Sequence, residues 1–176
     1  MTNLGLLSID GEFNFCNGLC VSEDGLLYVC DTDNSRIQVL DRDLQFVRCF
    51  GSRGAAPGQF NYPNTIDFDA SGHIYMTDSW NHRIQCLTAD GDPIRCIGRE
   101  GSGPGEFTRP NILEVVGVHI FVTDMKGVSV FTTEGQFISK FATECSAAGR
   151  SMDGLTVDED GFVYVSDASR DRIVVF

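Results

Sequence analysis

The sequence predicts an all-β fold built from four copies of one antiparallel unit, and three recurring patterns predict it. The first is a glycine followed two residues later by a phenylalanine, which returns at a step of 47 residues, at 11–13, 58–60 and 105–107. The second is an aspartate at steps of 47, 46 and 43 residues, at Asp31, Asp78, Asp124 and Asp167. The third is a glycine six residues before, and an arginine five residues after, three of these aspartates: Gly25, Gly72, Gly161, Arg36, Arg83 and Arg172. Self-similarity at such a period indicates a repeat architecture.

Each copy contains four short runs of apolar and β-branched residues, which are typical of strands bounded by turn residues. The first run is predicted as strand a at 18–22, 65–68, 112–116 and 155–157. Strand b follows at 27–29, 74–77, 120–123 and 163–165, and strand c at 37–40, 84–87, 128–131 and 173–176. Strand d is predicted at 46–50, 94–97 and 137–141. Asp-Gly and Ser-Gly pairs between strands a and b supply the positive φ angles that a tight hairpin needs.

A four-stranded meander of about 45 residues has the size and strand count of one propeller blade, so the sequence predicts a β-propeller. The blades are predicted over 15–51, 62–98, 109–141 and 152–176 of a single domain, 1–176. Residues 1–12 are predicted to supply strand d of a preceding or closing blade. The apolar run 4–9 is too short to span a membrane, so no membrane partner is expected.

The second copy carries the most specific motif. Residues 72–85 read Gly-His-Ile-Tyr-Met-Thr-Asp-Ser-Trp-Asn-His-Arg-Ile-Gln, and Gly-Gln-Phe-x-x-Pro precedes them at 58–63. This pattern resembles an NHL repeat; the likeness is also good in the first and fourth copies and partial in the third. The resemblance implies a propeller that typically has six blades, which would need roughly 270 residues. The chain is therefore expected to be a C-terminal portion of a larger propeller, although three full blades and a split one would also make a four-bladed ring.

The third copy departs from the pattern. Val118 stands where the other copies have the turn glycine, and two residues are missing after Asp124, so the arginine position falls on Gly127. The loop between strands b and c is expected to be shorter there, and the Asp–Arg pairing of the other copies cannot form. In those copies the pairs Asp31–Arg36, Asp78–Arg83 and Asp167–Arg172 are predicted to hold this loop, because their spacing is repeated.

Composition limits the remaining choices. Seven cysteines do not make a disulfide framework, and reduced thiols within strands favour a cytoplasmic protein. Neither zinc nor another metal or cofactor is expected, since Cys16 and Cys20 lack a second pair at finger spacing. The formal net charge of −12 argues against nucleic acid.

The charges separate between the two faces of the predicted propeller. The face with the a–b and c–d turns is strongly acidic, and the face with the b–c and d–a loops receives nine of the thirteen lysines and arginines. Exposed Trp, Tyr and Arg together are typical of interface hot spots. The predicted partner-binding residues are those on the second face that do not repeat: Trp80, His82, Tyr62, Arg53, Arg99, Arg109, Arg150 and Arg170. A packed Trp80 is the alternative.

An enzyme is the competing class. Propeller lyases and lactonases hold a metal at the ring axis, and Asn17, Asn64, Asn111 and Asp153 begin strand a near that axis. Amide and carboxylate oxygens can bind Ca²⁺, but the same residues would also cap and orient strand a, which is the favoured interpretation. No catalytic residue is predicted.

The expected function is therefore a non-enzymatic protein-interaction scaffold that binds through the arginine-rich loop face. The resemblance implies tripartite-motif NHL proteins, in which a RING domain, a B-box and a coiled coil precede the propeller, and the propeller recognises substrates of a ubiquitin ligase or binds RNA. A protein partner is favoured over RNA because twelve acids offset the arginines. A metal-dependent lyase or lactonase remains the third alternative, and open blade edges make self-association possible.

Overall fold

In a computed structural model that describes residues 10–142, 152–168 and 170–176, the chain forms four antiparallel sheets, one for each copy. Blade I contains β1 (Cys16–Val21), β2 (Leu27–Asp31), β3 (Arg36–Leu40) and β4 (Phe46–Phe50). Blade II contains β5 (Pro63–Phe68), β6 (Ile74–Asp78), β7 (Arg83–Leu87) and β8 (Pro93–Ile97), with a short 3-10 turn at Ser79–Asn81. Blade III contains β9 (Leu113–Val116), β10 (His119–Asp124), β11 (Gly127–Thr132) and β12 (Phe137–Ala142). Blade IV contains β13 (Met152–Val157), β14 (Val163–Asp167) and β15 (Arg172–Val175).

Within each sheet the strands follow one another in chain order, so every blade is a simple meander. The first strands of successive blades lie side by side, β1 next to β5, β5 next to β9 and β9 next to β13. The predicted all-β propeller of four-stranded units is therefore confirmed. The strand predicted within 1–12 falls largely on residues 1–9, which lie outside the described residues. Among the described residues, no helix has the length and apolarity needed to cross a membrane.

The turn between the first two strands behaves as predicted in three blades. Gly25, Gly72 and Gly161 have φ angles of 86°, 78° and 88°, a left-handed conformation that glycine adopts without steric cost. In blade III the glycine is one position earlier than expected. Val116 pairs with His119, and Gly117, at φ 60°, takes the first position of a two-residue hairpin. Val118 therefore does not replace the turn glycine; a shorter turn uses the preceding residue.

The hydrophobic core is divided into three layers between adjacent blades. The layer between blades I and II includes Tyr28, Cys30, Ile37 and Val39 on one side and Ile66, Ile74, Met76 and Leu87 on the other. Equivalent layers lie between blades II and III and between blades III and IV. Phe60 and Phe107, from the copied Gly-x-Phe pattern, are fully buried in the first two layers. A Cβ atom at Gly51 would lie 2.1 Å from the Phe60 ring, so glycine is needed where this ring enters.

The copied aspartates are buried acceptors that hold the loops on either side of them. The Asp78 carboxylate accepts hydrogen bonds from the Asn61 backbone N–H at 2.7 Å and from the side chains of Asn81 at 2.8 Å, Arg83 at 2.8 Å and Gln85 at 3.0 Å. Blade I repeats this arrangement around Asp31. The structure forms all three Asp–Arg pairs, at 2.7 Å in blade I, 2.8 Å in blade II and 3.0 Å in blade IV.

Blade III lacks the arginine, as expected, but its aspartate still has a cationic partner. The Nζ atom of Lys140, on β12, lies 3.2 Å from Asp124, and both side chains are largely buried. The backbone N–H groups of Thr108 and Lys126 also donate to this carboxylate. The aspartate therefore keeps its function of joining the d–a and b–c loops in every blade for which these bonds are described.

Candidate partner-binding site

Three residues with left-handed backbones stand just before the first strands of successive blades. Phe15, Tyr62 and Arg109 have φ angles of 53°, 64° and 56°, and each is one period of 47 residues from the next. Residues other than glycine seldom adopt this conformation, and local strain of this kind concentrates at functional sites. The backbone is thus copied while the side chain changes, which places three different groups at equivalent positions around the axis.

These residues line an open cavity of about 760 Å³ to which all four blades contribute. The d–a loops supply Phe15, Tyr62, Arg109 and Pro110, and the b–c loops supply Ser79, Trp80 and Met125. The first residues of the first strands form its floor: Cys16, Asn17, Gly18, Asn64, Thr65, Asn111, Ile112 and Asp153. The cavity therefore lies on the face that was predicted to bind a partner.

An aromatic and arginine wall forms one side of the cavity. The ring centroids of Phe15 and Tyr62 are 6.3 Å apart, and those of Tyr62 and Trp80 are 5.9 Å apart. The Arg109 guanidinium carbon lies 5.2 Å from the centre of the Trp80 ring, within cation–π distance. Trp80 is 52% exposed, so its packed alternative is not what the structure shows.

The Arg109 guanidinium is held in place and available for binding. Within the described part of the chain, no carboxylate lies within 4.0 Å of it. The backbone of the same residue is fixed by His82, whose ring Nδ1 accepts the Arg109 N–H at 3.2 Å. The other His82 ring nitrogen is 3.9 Å from Glu100. His82 therefore supports the wall from behind instead of lining the cavity.

The axial amides on the floor bond to protein groups. Asn64 donates through Nδ2 to Oδ1 of Asn111, and Asn111 Nδ2 donates to the Met152 carbonyl at 2.8 Å. Asn17 donates to the Thr32 hydroxyl at 3.2 Å. The first two bonds connect neighbouring blades, and the third joins the first strand of blade I to its own b–c loop; all three support the predicted orienting function of the asparagines. Among the described residues, no cluster of three or more His, Cys, Asp and Glu side chains is arranged to hold a metal ion.

The other predicted binding residues lie away from the wall. Arg99 pairs with Glu106 at 3.0 Å, and Arg170 lies 3.5 Å from Asp167, so both have local carboxylate partners. Arg53 is exposed and does not line the cavity. Arg150 lies outside the described residues. The structure thus brings together Trp80, Tyr62 and Arg109, with His82 behind them.

One member of the wall was not among the predicted partner-binding residues. Phe15, which is exposed, extends the aromatic wall, and Asp153, which the sequence placed near the axis, belongs to the floor of the same cavity. The signal for Phe15 was present in the sequence, because it occupies the same position as Tyr62 and Arg109 in the preceding copy.

The acidic face has a different construction, in which blades I and II each contact the next blade through a tyrosine and an arginine. Arg48 donates to the Tyr28 hydroxyl at 2.8 Å and to the Ala89 carbonyl of blade II at 3.0 Å. Burial raises the Tyr28 pKa, although the positive charge of Arg48 opposes that shift. In blade II, Arg95 makes the corresponding contact with the Thr133 carbonyl at 2.6 Å and also pairs with Glu134 at 2.8 Å. Glu134 is thus an acid on this face that takes part in a contact between blades.

Comparison with solved structures establishes the class of fold. Most of the chain superposes on solved propeller-containing enzymes: a catalytically inactive variant of virginiamycin B lyase from Staphylococcus aureus (17% identity, TM-score 0.67) and a gluconolactonase from Xanthomonas campestris (20% identity, TM-score 0.67). Both alignments cover 92% of this chain, but only 55% of the lyase and 58% of the gluconolactonase. The computationally designed Ika4 protein aligns over 96% of this chain and 94% of its own, at 12% identity and a TM-score of 0.66. At these identities the likeness establishes the fold alone.

The repeat family follows from the sequence match. The NHL repeat family model matches residues 13–40 and 60–87, which contain the first three strands of blades I and II. Two blades of this β-propeller therefore match the NHL repeat, in agreement with the predicted resemblance. RING finger protein nhl-1 of Caenorhabditis elegans is 48% identical over 46 residues, which is 26% of this chain and 5% of that protein.

Proposed function

We propose that this propeller is a non-enzymatic scaffold that recognises a protein partner at the face carrying the axial cavity. The observation that carries the proposal is the wall of Trp80, Tyr62 and Arg109, in which an exposed tryptophan packs against an arginine whose guanidinium has no carboxylate within 4.0 Å among the described residues. Tryptophan, tyrosine and arginine are the residues that most often dominate binding energy at protein interfaces. Their backbones are held by hydrogen bonds and their side chains pack on one another, so less conformational freedom is lost on binding than for isolated surface side chains.

We further propose that the partner is a substrate of a larger ubiquitin-ligase protein of the tripartite-motif NHL type, and that this recognition takes place in the cytoplasm. Support for the first part comes from the 46 residues shared with a RING finger protein. The second is supported by the cysteines, since Cys16, Cys20, Cys30, Cys49, Cys86 and Cys96 are free thiols. Ligase activity would belong to other domains of such a protein.

RNA is the second candidate partner, because one observation favours it. Three aromatic rings in sequence with an arginine at their end resemble the stacking platforms on which single-stranded bases bind. The carboxylate of Asp153 on the cavity floor and the net charge of −12 oppose binding of a phosphate backbone. A protein partner is therefore favoured over RNA.

The proposed lack of enzymatic activity is supported by the axial asparagines, which bond to protein groups.

Tryptophan fluorescence is the direct test, because Trp80 is the only tryptophan of the chain and lies in the proposed site. Proteins captured from cytoplasmic extract by the intact chain are identified, purified and titrated against it. A partner that binds this face will shift the Trp80 emission, and Arg109→Glu will weaken its affinity by at least about 30-fold, the size expected of an interface hot spot. Trp80→Ala is assayed by calorimetry and should lose a similar factor.

Asp43→Ala on the opposite, acidic face is the matched control and should bind as the unmodified chain does. Equal weakening by Asp43→Ala, or a captured partner that leaves the Trp80 emission unchanged, would refute the assignment to this face. Poly-uridine RNA is titrated in parallel. Salt-sensitive binding of RNA that Arg109→Glu abolishes, with no protein partner captured, would reverse the order of the two candidates. Ca²⁺ binding by calorimetry that Asn64→Ala and Asn111→Ala abolish would support the enzyme class instead.

A further inference from the structure

The three interfaces inside the chain follow one rule. We call the sheet face that packs on the next blade along the chain the downstream face, and the face that packs on the preceding blade the upstream face. Ile37 and Val39 on the downstream face of blade I are fully buried against the upstream face of blade II, which includes Ile66. The downstream face of blade II is buried against blade III, and that of blade III against blade IV.

Blade IV has equivalent downstream side chains, and no described blade packs on them. Ile173 follows Arg172 on β15 as Ile37 follows Arg36 on β3, and Val175 corresponds to Val39. Ile173 is 64% exposed and Val175 51%, whereas Ile37 and Val39 are each 0% exposed. Two apolar side chains that are buried in an equivalent blade are thus open to solvent here.

Blade I shows the complementary situation on its upstream face. Leu19 stands one period of 47 residues before Ile66 and pairs with Val29 as Ile66 pairs with Met76. Leu19 is 63% exposed, and Ile66 only 4%. Phe13, which corresponds to the fully buried Phe60 between blades I and II, is also exposed. The described part of the chain therefore leaves one downstream face and one upstream face open.

We propose that the downstream face of blade IV binds the upstream face of blade I in a second copy of this chain. A downstream face and an upstream face are complementary, as three contacts within the molecule demonstrate, and each copy supplies one of each. The contact is head-to-tail, and such contacts close into rings or extend into open chains. Two copies contain eight blades, which lies within the range of four to eight found in propellers, so a closed dimer is expected.

A polar contact at the edge of the interface follows from the same correspondence. The Tyr75 hydroxyl lies 3.2 Å from both its own blade's Asp69 and the Thr133 carbonyl of the next blade. Tyr164 holds this position in blade IV, where its hydroxyl lies 2.9 Å from Asp158, the counterpart of Asp69. The position of Thr133 corresponds to Arg42 in blade I. The Arg42 carbonyl of a second copy would therefore accept a hydrogen bond from Tyr164.

The test is sedimentation velocity of the full chain between about 1 and 100 µM, where transient interfaces become populated. The unmodified chain should shift from monomer to dimer across this range. Leu19→Glu and Val175→Glu each place a charge in the apolar contact and should weaken association by at least about 100-fold. An equimolar mixture of the two variants retains one intact pair of faces, so a dimer should reappear. Tyr164→Phe should weaken association by about 3- to 10-fold.

Val118→Glu is the control, because Val118 is exposed in a hairpin turn away from both faces; it should associate as the unmodified chain does. Since Leu19, Val175 and Val118 are exposed, thermal melts of the three glutamate variants as dilute monomers should match the unmodified chain. A chain that remains monomeric at 100 µM would overturn the proposal. It would also be overturned if only one of the two glutamate variants lost association, or if their mixture stayed monomeric, because both results exclude a head-to-tail contact.

Discussion

The copied aspartate offers the most direct test of what holds a blade together, and Asp78→Asn is the smallest change that probes it. The substitution keeps the shape of the side chain but removes its charge and one acceptor oxygen. In the native structure one oxygen accepts the Asn61 backbone N–H, and the other accepts three bonds, from Asn81, Arg83 and Gln85. The carboxylate is completely buried, so water cannot replace a lost partner.

The geometry sets the size of the effect. In its better orientation the new amide directs its oxygen at the three side-chain donors and its NH₂ group at the Asn61 N–H, which leaves at least one buried donor without an acceptor. That costs about 1–3 kcal/mol. The bond from the Arg83 guanidinium also loses the charge of its acceptor, which costs about 1 kcal/mol more. The free energy of unfolding should therefore fall by about 2–4 kcal/mol, and the urea midpoint by about 1–2 M.

Urea unfolding followed by far-UV circular dichroism measures this loss. Arg99→Ala is the control, because the Arg99–Glu106 pair is exposed and such pairs contribute little to stability. It should leave the midpoint unchanged within error. The loss in Asp78→Asn should also persist in 0.5 M NaCl, since a buried pair is poorly screened. A midpoint for Asp78→Asn equal to that of the control would refute the reasoning that this hub is structural.

Three other predictions follow from single contacts. Gly72→Ala should lower the free energy of unfolding by about 1–2 kcal/mol, the cost of a left-handed backbone alone, since a Cβ there meets no neighbour. Gly91→Ala should cost about 1–3 kcal/mol more, because its Cβ would lie 2.4 Å from a phenylalanine of the preceding blade. Urea titrations of the two variants measure these losses, and equal losses would contradict the packing argument. Burial and a neighbouring carboxylate raise the pKa of Cys20 to about 11, so at pH 8 only about one thiol in a thousand is ionised. Iodoacetamide should therefore label Cys20 far more slowly than the exposed Cys16, and peptide mass spectrometry measures both rates. Burial opposes ionisation of Asp69, but hydrogen bonds from two backbone N–H groups and a histidine outweigh it and lower its pKa below 3.8. The resulting stabilisation of the fold is present above pH 3.8 and is lost as the pH falls. Asp69→Asn should therefore lose less stability between about pH 5 and pH 3 than the unmodified chain does.

The fold was predictable because each strand obeys local rules that the copies repeat. The strand Ile74–Asp78 is a short run of mainly apolar residues that follows a turn glycine. Its register with β7 is fixed once Asp78 and Arg83 are paired across the loop. A single copy would leave these assignments ambiguous, but a pattern that recurs at nearly constant spacing averages out local accidents.

The cavity was only partly predictable, because it depends on the direction of side chains that the repeat does not fix. The sequence indicated the face on which the cavity lies and singled out Trp80, Tyr62 and Arg109, but it gave equal weight to Arg53 and Arg99. What separates these groups is backbone conformation. Tyr62 and Arg109 share a left-handed position that turns their side chains to the axis, whereas Arg99 is drawn to a local glutamate.

Blade III shows why the aspartate hub survives a change of sequence that removes its arginine. In blade II the buried Gln85 pairs across the sheet with Cys96, and in blade III the corresponding pair is Ser129 with Lys140. The shorter serine leaves room beside the carboxylate, and the lysine on the outer strand supplies the cation that the shortened loop cannot provide. Burying a carboxylate without a cationic partner would be costly, so the position of the cation can move while the need for one remains. This exchange does not appear when the copies are aligned position by position along the chain, because the cation moves to a different strand; it appears in the pairing of β11 with β12.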